Sequence, residues 1–241
     1  MQKTTAMLVK QARLLAGYSR AELARAARVS PSTVGRIESG DVDPTWAVLS
    51  AILAAAGYRV GDSLTSLGDP DAVDAAVNAL GRKPNKSDDA WSMRWMRAGL
   101  LDDDGRAKNL SRLAGAAGLA SDPRTRPGAR AFLLDRDPAR LLEDLERVGA
   151  APFATGPIAF GDIDPMGLTA YVRDPSALSL APAEPFQPVF IALPAPNNLT
   201  VHVSEAGLPI VSLERALVDS FASGGRVADR AEAYVSRLAA A

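Results

Sequence analysis

Few side chains in this sequence could do covalent or metal chemistry. With no cysteine and a single histidine among 241 residues, disulfides, thiolate zinc sites and cysteine nucleophiles are excluded, and most imidazole chemistry goes with them. His202, in LTVHV, alternates with Val201 and Val203 and reads as a residue on a sheet face. Asp162 and Asp164, in FGDIDP, stand two positions apart. On a strand that spacing points both carboxylates to one side, where they could hold a divalent cation for nucleotidyl transfer. The small-residue pair expected upstream is replaced by TGP, and Pro165 interrupts the strand that would carry a third acid. The expectation is therefore a loop with two solvated acids. DDDG, Asp102 to Gly105, is half of a calcium loop without its terminal glutamate and reads as a turn. Gly-rich phosphate loops, serine-elbow motifs and metal-ligand clusters do not occur in the sequence. The chain is expected not to be an enzyme, with no catalytic residue, no metal site and no cofactor.

Guanidinium chemistry is the alternative. Residues 1–60 hold eight Lys and Arg against four acids, a net +4, and since the whole chain carries -1 the remaining 181 residues carry -5. A small basic module on a mildly acidic body suits a polyanion contact made by the first part alone.

Helix signals position those cations. Met7, Leu8, Ala12, Leu14 and Leu15 give an apolar stripe over about Thr5–Ala16, which Gly17 stops. Ser19 lies three residues before Glu22, the capping-box spacing, and opens a second helix that buries Leu23 and Ala27. After the turn RVS, Ser30 can cap a third helix with Pro31 at its first position, Val34 and Ile37 on its buried side and Gly40 at its end. A fourth helix follows in DPTWAVLSAILAAAG, where Trp46, Leu49, Ile52 and Leu53 are expected to cover the other three.

The run YSRAELARAARVSPSTVGRIESGDVDPTWAVLSAILAAAGYRV resembles the lambda-repressor-like helix-turn-helix domain of the XRE family, over roughly residues 5–60. The resemblance implies that the third helix enters the major groove and that a dimer reads two half-sites about one helical turn apart. It places groove contacts at Ser32 and Arg36. Arg36 is the best base-reading candidate, with a phosphate contact or a salt bridge as its plainer role. Ser30 and Thr33 can bond phosphate or close the helix terminus, and Pro31 and Gly35 complete the segment that meets DNA. Arg20 stands where the family often has a phosphate-contacting glutamine, and Glu38 where it has a structural acid.

Beyond Val60 the pattern changes. DPDAVDAAVNALG can form a short helix, and GRKPNKSDD, Gly81 to Asp89, reads as a linker or long loop. From Trp91 on, helical stretches (WSMRWMRAGLL, RAKNLSRLAGAAG, PARLLEDLERVG) interleave with strand-like runs (LTAYV, PVFIAL, LTVHV, LPIV), and two helices end the chain, the first capped by Ser212. The expected layout is an N-terminal all-α helix-turn-helix domain over 1–64, a linker with a short helix over 65–90, and a larger mixed α/β domain over 91–241. Within the last, the segment around GLPIVSLERALVDSFASGGR is similar to the AbiEi family of type IV antitoxins, over about Leu141–Leu238. That similarity implies repression of the protein's own operon and neutralisation of a nucleotidyltransferase-like toxin without necessary contact. The family commonly carries a winged helix where this chain has its XRE-type module.

The expectation is a sequence-specific DNA-binding regulator: a homodimer on an inverted-repeat operator in double-stranded DNA, autorepressing and acting as an antitoxin. A large domain that senses a small ligand and a nucleotidyltransferase-like enzyme are the rivals. Lys10 and Arg13 break the apolar N-terminal run, and no stretch approaches the ~18 apolar residues of a membrane span, so the cytoplasm, at the nucleoid, is the expected location with no membrane partner.

Overall fold

The computed structural model describes residues 2–60, 64–66, 68–81 and 88–240; of the linker expected over Gly81–Asp89, residues 82–87 lie outside the described set. The chain divides into two compact units, Met1–Ser121 and Asp122–Ala241.

The first unit begins with four helices, α1 (Gln2–Leu15), α2 (Arg20–Ala26), α3 (Pro31–Ser39) and α4 (Trp46–Ala55). A small antiparallel pair follows, β1 (Tyr58–Val60) with β2 (Leu64–Ser66), and then α5 (Pro70–Leu80), α6 (Ala90–Arg97) and α7 (Leu110–Ala120). The four-helix core holds Val9, Ala12 and Ala16 beside Leu23, Val34, Ile37, Ile52 and Leu53.

Two expectations about that core are corrected. Met7 and Leu14, seven positions apart and so on one face of α1, are 71% and 56% exposed. Ala12 of the expected stripe is buried and Leu8 and Leu15 pack against the core half-buried, while Val9 and Ala16 complete the inward face. Trp46 is 65% exposed. It occupies the first position of α4, a turn ahead of the Leu49, Ile52, Leu53 and Ala56 stripe that enters the core.

The unit boundary also falls later than the composition indicated, after Ser121. Helices α6 and α7, expected in the second domain, pack in the first because α6 carries Trp91 and Trp95 as buried anchors, their rings 5.4 Å apart. Gly17 marks how closely α6 approaches. A Cβ built there would lie 2.6 Å from Arg94 Cβ and 2.9 Å from the Arg94 carbonyl oxygen.

The second unit is built on a six-stranded mixed sheet. In chain order it contains β3 (Arg130–Leu133), α8 (Pro138–Arg147), β4 (Phe153–Thr155), β5 (Gly167–Val172), β6 (Val189–Pro194), β7 (Val201–Val203), β8 (Pro209–Val211), α9 (Leu213–Ser223) and α10 (Gly225–Ala240). The strand order is β3-β6-β5-β4-β8-β7, with β5–β6 and β4–β8 parallel and the other pairs antiparallel. Alternation along the strands decides which face each side chain joins. Leu168, Ala170, Val172, Phe190 and Ala192 pack with Leu141, Leu142 and Leu145 of α8, whereas Tyr171, Ile191, Leu193 and Val211 pack with Ala216 of α9. Both faces of the central strands are therefore buried, which is why β5 and β6 read as continuous apolar runs.

Candidate nucleic-acid interface

Local hydrogen bonds set the two helices of the motif. The Ser19 hydroxyl accepts from Glu22 N–H at 3.2 Å and the Glu22 carboxylate from Ser19 N–H at 2.9 Å, closing both halves of the capping box. These bonds hold the Glu22 carboxyl below its usual range, with Arg97 adding to the effect. The chain then turns through Arg28, whose φ of 57° is in the left-handed region, at a cost of about 1 kcal/mol for a side-chain-bearing residue. Ser30 caps α3, its hydroxyl accepting from Thr33 N–H at 3.1 Å, and Pro31 takes a first-turn position where a missing N–H removes no helical bond. At the far end Gly40, φ 82°, closes the helix with its N–H on the carbonyls of Arg36 and Ile37.

The faces of α3 separate cleanly. Val34 and Ile37 are buried. On the other side Ser32, Gly35, Arg36 and Ser39 follow the i, i+3, i+4, i+7 spacing of a single stripe; Ser32, Arg36 and Ser39 are exposed and Gly35 half-buried. A Cβ at Gly35 would meet nothing within 4 Å, so the backbone there is open to close approach. At the helix start Ser30 Oγ lies 2.8 Å from Ser32 Oγ and 2.7 Å from Thr33 Oγ1, which gathers three hydroxyls beside exposed Pro31.

Glu38 is a structural acid. Its side chain is 1% exposed and accepts from Arg13 Nε at 2.6 Å and Arg20 Nε at 2.6 Å. Burial opposes its charge, but the hydrogen bonds from Arg13 and Arg20 outweigh that and keep its carboxyl below the usual range. Arg20 therefore has its Nε committed to Glu38 while its side chain stays 56% exposed. Arg13 lies 25 positions from Glu38, too far for local spacing to join them. Two arginines of α6 also reach across the chain. The Arg94 guanidinium lies 3.9 Å from the centre of the Tyr18 ring, 4.6 Å from that of Trp91, and donates to the Tyr18 hydroxyl. Arg97 pairs with Glu22. Their i, i+3 spacing in MRWMR, beside two tryptophans, was the available signal.

The candidates beyond the helix-turn-helix segment fall elsewhere. Asp162 and Asp164 lie in the loop before β5 rather than on a strand, and Arg230 of α10 reaches toward both, at 3.2 Å and 4.0 Å. Among the described residues no group of three His, Cys, Asp or Glu is placed to hold a metal ion. Asp102–Gly105 forms a turn in which the Asp102 carboxylate accepts from the N–H groups of Asp104 and Arg106. His202 is exposed on β7, at the sheet edge. The buried polar centre is instead Asp219 of α9, bonded by Arg126 Nη2 at 2.6 Å, Thr155 Oγ1 at 2.7 Å and the Tyr171 hydroxyl at 3.1 Å. Arg126 also donates to the Tyr171 hydroxyl at 2.7 Å. Burial, with the Asp219 charge behind it, pushes the Tyr171 phenol up to about 12.

A capped helix, a tight turn and a second capped helix with one buried and one bare face define a helix-turn-helix DNA-binding domain. Residues 9–62 match the family model described as helix-turn-helix. No curated protein and no solved structure matches the chain. No helix among the described residues is long and apolar enough to cross a membrane.

Proposed function

We propose that this protein is a sequence-specific transcriptional regulator that binds operator DNA as a homodimer, with α3 in the major groove. The observation that carries the reading is the bare stripe of Ser32, Gly35, Arg36 and Ser39 standing on buried Val34 and Ile37 inside the matched segment. In this reading Arg36 reads a base edge, the hydroxyls of Ser30, Ser32 and Thr33 and the outer nitrogens of Arg20 meet phosphate, and Pro31 and Gly35 allow the backbone close. The work is binding, not catalysis, and takes place in the cytoplasm at the nucleoid. Dimerisation supplies the second half-site, because one recognition helix makes too few base contacts to rise far above nonspecific affinity. Selection of bound duplexes from a random pool with the full chain tests this: an inverted repeat with half-site centres about one helical turn apart is expected. A pool that stays random after repeated rounds overturns it.

Within that reading, autorepression and an antitoxin role against a nucleotidyltransferase-like toxin rest on the resemblance of the SLERALVD segment. Co-expression with the product of an adjacent nucleotidyltransferase-like gene tests them, with rescue of growth expected. A second reading, a small-ligand receptor in the large unit, is favoured by one observation: a groove of about 810 Å³ beside α8, within the several-hundred-Å³ range usual for small-molecule sites.

A further inference from the structure

The groove beside α8 has an apolar floor and a cationic rim. Its accessible apolar lining is half-buried Leu178 and Leu180, of the segment that follows β5, with Val148, 75% exposed, and buried Leu141 and Leu145 of α8 lie beneath them. Three arginines line it, Arg136, Arg147 and Arg173. Two are committed: Arg136 is held by Asp135 and Asp144, and Arg147 donates to Asp144 at 2.6 Å. The lining acids are committed as well, Asp144 to those two arginines and Asp174 to the N–H and hydroxyl of Ser176. Arg173 is different. Its backbone N–H is fixed to the Ala150 carbonyl at 3.0 Å, which anchors it at the groove, while its exposed guanidinium has no hydrogen-bond or ion-pair partner among the described residues.

An apolar trough with one anchored, unpaired guanidinium at its rim complements one kind of small molecule. The trough favours an apolar body by area removed from water, and the planar fork of Arg173 favours a carboxylate, which it can bond through two parallel N–H groups. A cation would meet three arginines, and a large polyanion would find only one free partner. We propose that this groove binds a small amphipathic monocarboxylate, its apolar body over Val148, Leu178 and Leu180 and its carboxylate on Arg173. The inference rests on the receptor reading and names the ligand class.

The test uses the full chain with octanoate as probe and octylamine and octanol as controls, followed by titration calorimetry. Octanoate is expected to bind, octylamine not at all, and octanol at least tenfold more weakly. Both Arg173→Ala and Val148→Asp, changes at exposed positions, are expected to weaken octanoate at least tenfold. Absence of octanoate binding, or binding unchanged in Arg173→Ala, overturns the assignment. Tighter binding of octanol or octylamine leaves a receptor in place and removes the carboxylate from it. Octanoate bound at this groove without any change in DNA affinity keeps the site and sinks the regulatory reading.

Discussion

Arg126 and Asp219, 93 positions apart in the chain, meet at 2.6 Å beneath the sheet with side chains 6% and 1% exposed. The pair joins the 3-10 turn at Pro123–Thr125, just before β3, to the middle of α9, and Thr155 and Tyr171 occupy the second carboxylate oxygen. A buried ion pair of this kind adds little net stability over an apolar substitute, but breaking it leaves an uncompensated charge.

Asp219→Asn is therefore expected to destabilise the second unit by about 3–5 kcal/mol, since Arg126 keeps its charge and loses its counter-ion. The double replacement Arg126→Met with Asp219→Leu is expected to recover most of that loss. Urea unfolding followed by circular dichroism measures both. An Asp219→Asn protein as stable as the parent would show that water or another group already satisfies Arg126.

Arg36 and Arg20 are expected to separate on DNA. Arg36→Ala loses about 1–3 kcal/mol of discrimination at one base position, while Arg20→Ala weakens binding to every sequence and lowers the salt slope by about one. Fluorescence anisotropy on the selected operator and on random duplex, over a range of salt, reads the two effects. Equal losses on both duplexes for both variants would remove the assigned roles. Because Arg20 also bonds Glu38, a stability measurement accompanies its variant.

Glu38 gives the first unit an acid limb. Its carboxyl titrates lower in the folded protein than the unfolded value of about 4.3, so its contribution is fully present above that pH and is lost as pH falls through the lower folded value. Glu38→Gln is expected to cost about 2–3 kcal/mol at neutral pH, by loss of two charge-assisted bonds. The gap between variant and parent should begin to narrow as pH falls below the unfolded value of about 4.3 and close as it passes through the lower folded value. A gap that stays constant down to pH 2 would place the titration elsewhere.

Gly17 and Gly40 make a matched comparison. Both have positive φ, 66° and 82°, but a Cβ at Gly40 meets open space while one at Gly17 would strike Arg94. Gly40→Ala is expected to cost about 1 kcal/mol from backbone strain alone. Gly17→Ala adds overpacking of about 1–3 kcal/mol and loosens α6. Equal thermal shifts for the two variants would mean that α6 does not press on this turn.

Much of the first unit was legible because its signals are local. Ser19 with Glu22, Ser30 with Pro31, and Gly40 are capping arrangements decided within one helical turn, and the Val34 and Ile37 spacing separates the faces of α3 without reference to anything else. The same periodicity misled at Met7, Leu14 and Trp46, since an apolar stripe says which residues share a face but not whether another element covers it.

The sequence by itself determined the capped helices, the buried and bare sides of α3, the strand-like runs that became β5 to β8, and the loop that holds Asp162 and Asp164. Tertiary structure alone decided that α6 packs with the first unit, that Glu38 joins Arg13 to Arg20, and that Asp219 takes Arg126 as its partner. Caps and periodicities act over three to seven residues, whereas the choice among many possible partners for one buried charge is made only when distant segments are brought to within a hydrogen bond of each other.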